Sequence, residues 1–266
     1  MKEYHIFYAP DIEQTSCLPE EEAAHAVRVL RMQEGDELLC TDGRGTLYHC
    51  TITLCSKKAC HLSIDERETW PRTWQSDIHL AIAPTKNMDR MEWLAEKSTE
   101  IGLDRLTFLL TANSERTVVK TERIDKILVS AMKQSHKALK PELVGMTRFA
   151  DLIAQPFEGQ KFIAHCYDTD APKPHLKDVC LPDVPTLVLI GPEGDFSIEE
   201  VRAAETAGFQ GISLGESRLR TETAGLVAVC TCGLMKSPLP APPKGSASLR
   251  SCPPAAEMLT SDYDNH

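Results

Sequence analysis

Apolar and polar residues alternate in two different ways along the chain, and the difference divides it into three parts. Between residues 77 and 236, short runs that are apolar throughout, such as TLVLI (186–190), alternate with amphipathic segments. In the first amphipathic segment, one helical face carries Met91, Leu94, Ala95, Ser98 and Ile101. Fully apolar strands that alternate with helices are typical of a mostly parallel sheet covered on both faces. The pattern therefore predicts an α/β domain, which we place at residues 75–236.

The first 70 residues follow a different pattern, in which short strands predominate. Two apolar runs flank the sequence Asp-Gly-Arg-Gly within residues 36–56, which is a hairpin signal. One helix is indicated over residues 19–31, where a proline and three glutamates stand near the helix start. These elements predict a small β-barrel over residues 1–70. Residues 237–266 are rich in Pro, Ser and Ala without an apolar period, so we expect a disordered tail.

The composition is that of a globular chain, because 42% of the 266 residues are apolar and 26% are charged. No apolar run has the length of a membrane span, and the N-terminal residues lack the apolar core of a signal peptide. We therefore expect a cytoplasmic protein without membrane contact. The ten cysteines show no C-x-x-C spacing, which favours reduced thiols over a metal site.

The net charge of −10 argues against a protein that coats nucleic acid, but charge is unevenly distributed. Residues 105–140 contain eight lysines and arginines against three acidic residues, a local excess of +5. Such a segment is compatible with a solvated helix face. It is also compatible with a stripe that contacts RNA phosphates, which an acidic remainder of the chain would tolerate.

Two glycine-containing loops follow apolar strands and precede helices. In LIGPEGDFSIEEV (189–201), Ser197 and Glu200 have the spacing of a capping box, so a helix starts directly after the loop. Gly191 and Gly194 allow positive φ angles and close approach of a ligand to the backbone. The loop fits neither the dinucleotide-binding nor the P-loop motif. Loops at the carboxyl ends of parallel strands are where such sheets bind ligands.

The second loop lies in ISLGESRLRTETAGLVAV (212–229) and places two arginines before an apolar helix. Thr221 and Thr223 are candidate caps of that helix, and Glu222 stands in its first turn, where the helix dipole favours a carboxylate. Arg220 beside the same positive helix end requires a nearby anion. Either a bound anion or a salt bridge to Glu222 or Glu193 meets this requirement.

These loops and several upstream segments resemble the SPOUT class of RNA methyltransferases and, within it, the RsmE family. The segments are HAVRVLRMQEGDELLCTDGRGTLY (25–48), KNMDRMEWLAEKSTEIGLDRLTFLLTANSER (86–116), LIGPEGDFS (189–197) and SLGESRLRTETA (213–224). The resemblance covers nearly all of residues 1–236. It departs at Asp195, where the family often has a second glycine, and at Lys137, where the family often has an arginine with its planar fork.

The resemblance implies a C-terminal trefoil-knotted SPOUT methyltransferase domain, a PUA-like RNA-binding β-barrel before it, and a homodimer formed through the knot. It implies S-adenosylmethionine-dependent methylation of uridine N3 in 16S ribosomal RNA of the small subunit, without a metal. The segment AHCYD (164–168) would form a third wall of the cofactor pocket. The implied cofactor-binding residues are Ile190, Gly191, Pro192, Glu193, Gly194, Leu214, Gly215, Leu219, Thr223 and Ala224.

The implied reaction requires a cation near the uracil oxygens and an acceptor for the N3 proton. We assign the first role, or that of a phosphate contact, to Arg220. Glu222 or Glu193 would accept the proton, and the sequence leaves this choice open. His25 is equally compatible with a structural role. The residues expected to contact RNA are His25, Arg31, Arg116, Lys133 and Lys137.

Two alternatives belong to other classes of function. One is a non-catalytic dimeric RNA-binding protein, against which the intact glycine loops and Arg220 argue. The other is a related knotted methyltransferase that acts on ribose 2′-OH groups or on transfer RNA. The N-terminal barrel and the HAVRVLR segment (25–31) favour the RsmE interpretation.

Overall fold

The computed structural model describes residues 5–56, 59–167 and 172–239, which form two compact units. One unit ends at Pro71, and the other spans Arg72–Leu239. Most of the predicted tail, residues 240–266, lies outside the described residues. Its first residue, Ser237, belongs to the second unit, because its backbone N–H and its hydroxyl group donate to the carboxylate of Asp183. Within the described ranges, no helix is both long and apolar enough to cross a membrane.

The first unit is built on a four-stranded sheet in the order β1-β2-β3-β4. Its elements are β1 (Ile6–Tyr8), α1 (Ile12–Thr15), α2 (Glu20–Ala24), a π-helical turn (His25–Val29), β2 (Glu37–Thr41), β3 (Thr46–Cys55) and β4 (Cys60–Thr69). β1 runs parallel to β2, while β2, β3 and β4 are antiparallel neighbours. The predicted hairpin is confirmed as β2–β3. Among the described strands, β4 does not pair with β1, so closure into a barrel stays a prediction.

The structure departs from the helix predicted over residues 19–31 in the second half of that segment. α2 ends at Ala24, and the backbone N–H of Leu30 then donates to the carbonyl of His25 at 3.1 Å, an i→i+5 bond. Arg31 has a φ of 55°, which ends the helical segment. The β-branched Val27 and Val29 contribute little helix propensity here. The side chains of His25 and Arg31 are consequently exposed on either side of this turn.

The second unit is a six-stranded sheet in the order β10-β8-β9-β5-β6-β7, and its neighbouring strands are all parallel. The strands are β5 (Ile78–Ile82), β6 (Arg105–Leu110), β7 (Glu142–Arg148), β8 (Gln160–Ala164), β9 (Thr186–Ile190) and β10 (Gln210–Ile212). The helices are α3 (Met88–Ile101), α4 (Thr121–Gln134), α5 (Phe149–Ile153), α6 (Leu176–Val179), α7 (Ile198–Thr206) and α8 (Thr221–Leu234). The α/β prediction is confirmed.

Packing of α3 and α8 brings two helix starts to the carboxyl edge of this sheet. α3 buries the predicted apolar face and begins at Asn87, whose side chain accepts a hydrogen bond from the backbone N–H of Asp89 at 3.0 Å. α8 lies very close to β5, since a Cβ at Gly225 would be 2.9 Å from Cδ1 of Ile82. This contact sets the first turn of α8 beside the carboxyl end of β5, where the loops after β5 and β9 also lie.

Candidate active site

The loop after β9 turns at Asp195 rather than at a glycine. Asp195 has a φ of 64°, whereas neither Gly191 nor Gly194 has a positive φ, so the sequence expectation for these two glycines is wrong on this point. Aspartate tolerates this region better than most residues. Its carboxylate also accepts hydrogen bonds from the backbone N–H groups of Cys166 and Phe196, both at 2.7 Å. These bonds stabilise the turn at the position where the RsmE family often has glycine.

Gly191 is required by the packing of its own loop. A Cβ at this position would be 3.1 Å from both the backbone nitrogen and the ring of Phe196, which is fully buried. The capping box is confirmed at the end of the loop. Ser197 Oγ accepts a hydrogen bond from the backbone N–H of Glu200 at 3.2 Å. The Glu200 carboxylate accepts a hydrogen bond from the backbone N–H of Ser197 at 2.9 Å.

Three neighbouring loops are hydrogen-bonded to this one. After β5, the backbone N–H of Lys86 donates to Glu193 Oε1 at 3.1 Å. After β6, the side-chain amide of Asn113 donates to the carbonyl of Asp195 at 3.0 Å. After β8, the Tyr167 hydroxyl donates to the carbonyl of Phe196 at 2.7 Å. The carboxyl edge of the sheet therefore holds one connected set of loops, with Gly191–Phe196 at its centre.

The loop after β8 contains a buried histidine. The ammonium of Lys173 lies 3.3 Å from His165 Nδ1 and donates to the carbonyls of His165 and Tyr167, both at 2.6 Å. Burial, and then the charge of Lys173, lowers the pKa of His165, which keeps its ring neutral. His165 Nε2 is buried and has no hydrogen-bond partner among the described residues. Asp168, the last residue of the predicted third wall, lies outside the described residues.

The N-terminus of α8 has no side-chain cap. Arg220 is the N-cap residue, and neither Thr221 nor Thr223 accepts a capping hydrogen bond, so the predicted threonine caps are wrong. The Arg220 side chain is exposed and has no hydrogen bond or ion pair with any residue that the structure describes. The salt bridges to Glu222 or Glu193 that the sequence allowed are not formed. Arg220 thus adds an uncompensated positive charge to a positive helix end.

Glu222 is instead buried beside a residue that the sequence analysis did not single out. Its side chain is 9% exposed, and Oε1 lies 3.7 Å from Nε of Arg90 in the first turn of α3. Its other oxygen, Oε2, is buried without a hydrogen-bond partner in the described part of the chain. Buried polar atoms are normally paired, so this oxygen has an unused acceptor position.

The predicted cofactor residues lie at the same edge of the sheet, in the two loops and the first turn of α8. Gly215 has a φ of 125°, and a Cβ there would have no atom within 4 Å, so this position needs glycine for its backbone and leaves open space. The buried positions are Ile190, Gly191 and Pro192; the half-buried ones are Leu214, Leu219, Thr223 and Ala224; the exposed ones are Glu193, Gly194 and Gly215.

The predicted RNA contacts of the second unit lie towards both edges of the sheet. Arg116 lies at the carboxyl edge and donates to the backbone carbonyls of Thr85 and Lys86 at 3.2 and 2.6 Å. Lys137 lies at the opposite edge, where its ammonium donates to the carbonyl of Glu100 at 2.6 Å and burial lowers its pKa to about 8. Lys133 lies in the last turn of α4, whereas Arg116 lies before the start of that helix. His25 and Arg31 belong to the first unit.

A protein-family model matches most of the second unit. The family model described as RNA methyltransferase domain matches residues 72–232. The chain belongs to this RNA methyltransferase family. A second model, described as RNA methyltransferase PUA domain, matches residues 18–65 in the first unit. The methyltransferase domain is therefore the unit that carries the connected loops, Arg220 and Glu222.

Relatives of this methyltransferase bear out the resemblance to the RsmE family. Ribosomal RNA small subunit methyltransferase E of Aquifex aeolicus is 29% identical over 226 residues, which cover 83% of this chain and 95% of the relative. A crystal structure described as a probable rRNA-methyltransferase from Porphyromonas gingivalis is 45% identical, with a TM-score of 0.82, and the match covers 87% of this chain and 98% of that one. The ribosomal RNA small subunit methyltransferase E of Neisseria gonorrhoeae bound to S-adenosyl methionine is 25% identical, with a TM-score of 0.77 and coverage of 88% and 98%.

Proposed function

We propose that this protein transfers a methyl group from S-adenosylmethionine to N3 of a uridine in 16S ribosomal RNA. The observation that carries the proposal is the position of the Gly191–Phe196 loop and of the uncapped start of α8 at the same carboxyl edge of a parallel sheet. Ligands of open α/β sheets bind at this edge. Two of the relatives named above are, by name, methyltransferases of ribosomal RNA of the small subunit, and one of these two is bound to this cofactor. Such a reaction takes place in the cytoplasm, on the small ribosomal subunit.

The residues of the site fit this cofactor. Its hydroxyl and amino groups need acceptors, and its carboxylate needs a cation or free backbone N–H groups. The loops offer backbone atoms around Gly191 and open space at Gly215, and the α8 start offers N–H groups without a side-chain cap. The proposed cofactor residues are those of the two loops, from Ile190 to Gly194 and at Leu214, Gly215, Leu219, Thr223 and Ala224. When bound, S-adenosylmethionine supplies a methyl group on a positively charged sulfur.

The chain itself must hold the uracil and remove its N3 proton. A neutral imide nitrogen is a poor nucleophile, so the proton leaves at or before methyl transfer. Glu222 is the better acceptor of the two carboxylates, because Glu193 is exposed and already accepts the N–H of Lys86. Arg220, with no partner of its own among the described residues, stabilises the negative charge that develops on the uracil oxygens. The Glu222 carboxylate is held in place by burial in the first turn of α8 and by the ion pair with Arg90 of α3.

A knotted chain and a homodimer complete the proposal. After the edge strand β10, the chain returns past β8 and β9 to pack α8 on β5, which is the return crossing that a knot requires. α8 also carries apolar residues on its outer side, including Val227, half-buried, and Leu234, 85% exposed. A helix that is apolar all round is normally buried, and a second copy of the chain would cover it.

The direct test is the position of the methyl group in the product. We expect the purified protein to methylate small ribosomal subunits that lack the modification, and nuclease digestion with mass spectrometry to detect 3-methyluridine. A ribose-methylated nucleotide, or activity on transfer RNA alone, would support a related methyltransferase instead. RNA binding without any methyl transfer would support the non-catalytic alternative.

Cofactor binding is expected to depend on Gly191. Gly191→Ala would press a Cβ against Phe196 and displace the loop, and we expect at least about a tenfold loss of S-adenosylmethionine affinity, or about 1.4 kcal/mol. Gly145→Ala is the matched control, because a Cβ there would make an ordinary 3.6 Å contact with Thr121. Calorimetry measures both affinities, and thermal unfolding checks the fold. Equal affinities in the two variants would contradict a cofactor role for the loop.

A further inference from the structure

A cleft opens beside the proposed active site, between the loops after β5 and β6. It has a volume of about 400 Å³ and is lined by Lys86, Glu115, Arg116, Thr117 and Val118. This volume is near the lower end for small-ligand sites, so it can hold one nucleotide but not a duplex. Of these residues, only Arg116 was predicted from the sequence to contact RNA.

Arg116 gives the cleft a fixed positive charge. Its guanidinium donates to two backbone carbonyls, those of Thr85 and Lys86, and forms no ion pair with a carboxylate in the described ranges. Carbonyl groups orient the guanidinium without neutralising its charge. The donors that remain free suit a phosphate, and an arginine held in position loses little entropy when it binds one.

Lys86 adds a second, mobile positive charge. Its side chain is 82% exposed, and its ammonium lies 3.5 Å from the carboxylate of Glu115, which is itself 60% exposed. Ion pairs this exposed contribute little to stability, so a phosphate can compete for the ammonium. Two cations and one carboxylate leave the cleft with a charge of +1 in a chain whose net charge is −10.

Val118 supplies an apolar surface next to these charges. Its side chain is 70% exposed, although the neighbouring Val119 packs against the core. An exposed valine beside two cations and the Thr117 hydroxyl matches the mixed chemistry of a nucleotide, which combines a phosphate with a sugar and a flat base. Apolar contacts with unpaired bases and sugars are a common mode of single-stranded RNA recognition.

The cleft is connected to the proposed methyl-transfer site by one residue. The backbone N–H of Lys86 donates to Glu193 in the Gly191–Phe196 loop, while its carbonyl accepts from Arg116 in the cleft. N3 of uridine is on the Watson–Crick edge, so a target uridine must be unpaired when it is methylated. Its neighbours along the strand then also reach the protein as single-stranded RNA.

From this geometry we propose that the cleft binds the phosphate and sugar of an unpaired nucleotide next to the target uridine. The inference rests on the proposed function for the identity of the target, but binding of single-stranded RNA can be measured without methyl transfer. The experiment can therefore contradict RNA binding by the cleft without contradicting the proposed methylation, and the reverse also holds.

The experiment measures binding of a fluorescently labelled hexauridylate across a range of salt concentrations. Lys86→Ala retains both backbone hydrogen bonds of residue 86 and is expected to reduce the slope of log affinity against log salt by roughly 0.7, the value for one lost phosphate contact on a single strand. Lys177→Ala removes another exposed positive charge elsewhere in the same unit and is expected to leave the slope unchanged. Val118→Asp is expected to weaken binding further, whereas the isosteric Val118→Thr is expected to retain most of it.

Two results would overturn the assignment. One is a salt slope for Lys86→Ala that equals that of the wild type and of Lys177→Ala. The other is a loss of S-adenosylmethionine affinity in Lys86→Ala with RNA binding intact, which would make the cleft part of the cofactor site. Calorimetry with S-adenosylmethionine on the same preparations distinguishes these outcomes.

Discussion

Glu222→Gln is expected to slow methyl transfer by a factor of roughly 10² to 10⁴, the usual contribution of a general base. Glutamine has the shape of glutamate and can still accept a hydrogen bond, but it cannot take the N3 proton of uridine. In the proposed reaction, S-adenosylmethionine would supply the methyl group for a new bond to N3 as its own S–CH₃ bond breaks. The N3 proton would pass to the Glu222 carboxylate and from there to water. We expect cofactor affinity to change much less than the rate.

The position of Glu222 is the reason for expecting so large an effect. One carboxylate oxygen is held 3.7 Å from Arg90, and the other is buried without a partner among the described residues. The guanidinium of Arg90, which is 36% exposed, and the positive end of the α8 dipole both attract the Glu222 carboxylate and hold it at this point. An N–H group of a bound uracil would supply the missing hydrogen bond to Oε2.

Glu193→Gln is the matched control, since it makes the same chemical change at the other candidate proton acceptor. Its side-chain carbonyl can still accept the N–H of Lys86, and we expect its rate to fall less than tenfold. Single-turnover transfer at saturating enzyme and cofactor measures both variants. If Glu193→Gln were the slower enzyme, the proton acceptor would be Glu193. If Glu222→Gln lost thermal stability and cofactor affinity together, Glu222 would have a structural role.

The architecture of the second unit was largely predictable because its elements have strong periodic patterns. The five-residue runs of β5 and β9 are buried throughout, and four of the five residues on the predicted face of α3 are buried as well. β7 was not predicted, since its sequence ELVGMTR contains a glycine and polar residues. It is a half-buried edge strand that owes its conformation to pairing with β6. Such pairing is invisible to local sequence patterns.

The site was predictable in its location but not in its contacts. Loop position and chemistry follow from local sequence, which is why the Gly191–Phe196 loop and the α8 start were found. The ion pair of Glu222 with Arg90 depends on the close packing of α3 and α8. The placement of the charges in the basic segment 105–140 depends on the fold for a related reason. A helix of 14 residues spans about 21 Å, so charges at its two ends face different edges of the sheet.

The loop turn at Asp195 shows the limit of reading glycines as flexible points. Gly191 and Gly194 suggested positive φ angles, but Asp195 takes that conformation and stabilises it with two side-chain hydrogen bonds. At Gly191 the requirement for glycine comes from packing, because a Cβ there would be 3.1 Å from Phe196. A single sequence does not distinguish a glycine needed for its φ angle from one needed for its lack of a side chain.

Arg220→Lys is expected to reduce the rate of methyl transfer by roughly 10²-fold, about 3 kcal/mol, the effect of losing one preorganised contact to the developing charge. Lysine keeps the charge but replaces a planar fork of donors with a single mobile ammonium. Arg220 has no ion pair within the described residues, so the substitution breaks no salt bridge of the fold. Its backbone remains the N-cap of α8, and α8 should form as before.

Arg218→Lys provides the control, because Arg218 is an exposed arginine two residues earlier in the same loop. If Arg220 acts on the uracil, single-turnover transfer to small ribosomal subunits should be slow in Arg220→Lys and close to the wild-type rate in Arg218→Lys, with 3-methyluridine as product in each case. Affinities for RNA and S-adenosylmethionine should differ little between the two variants. An Arg220→Lys enzyme of normal rate would exclude the charge-stabilising role. If transfer by Arg220→Lys recovers fully at higher RNA concentration, Arg220 is a phosphate contact. The loss of a group that contributes only to binding lowers affinity without changing the rate of the bound complex.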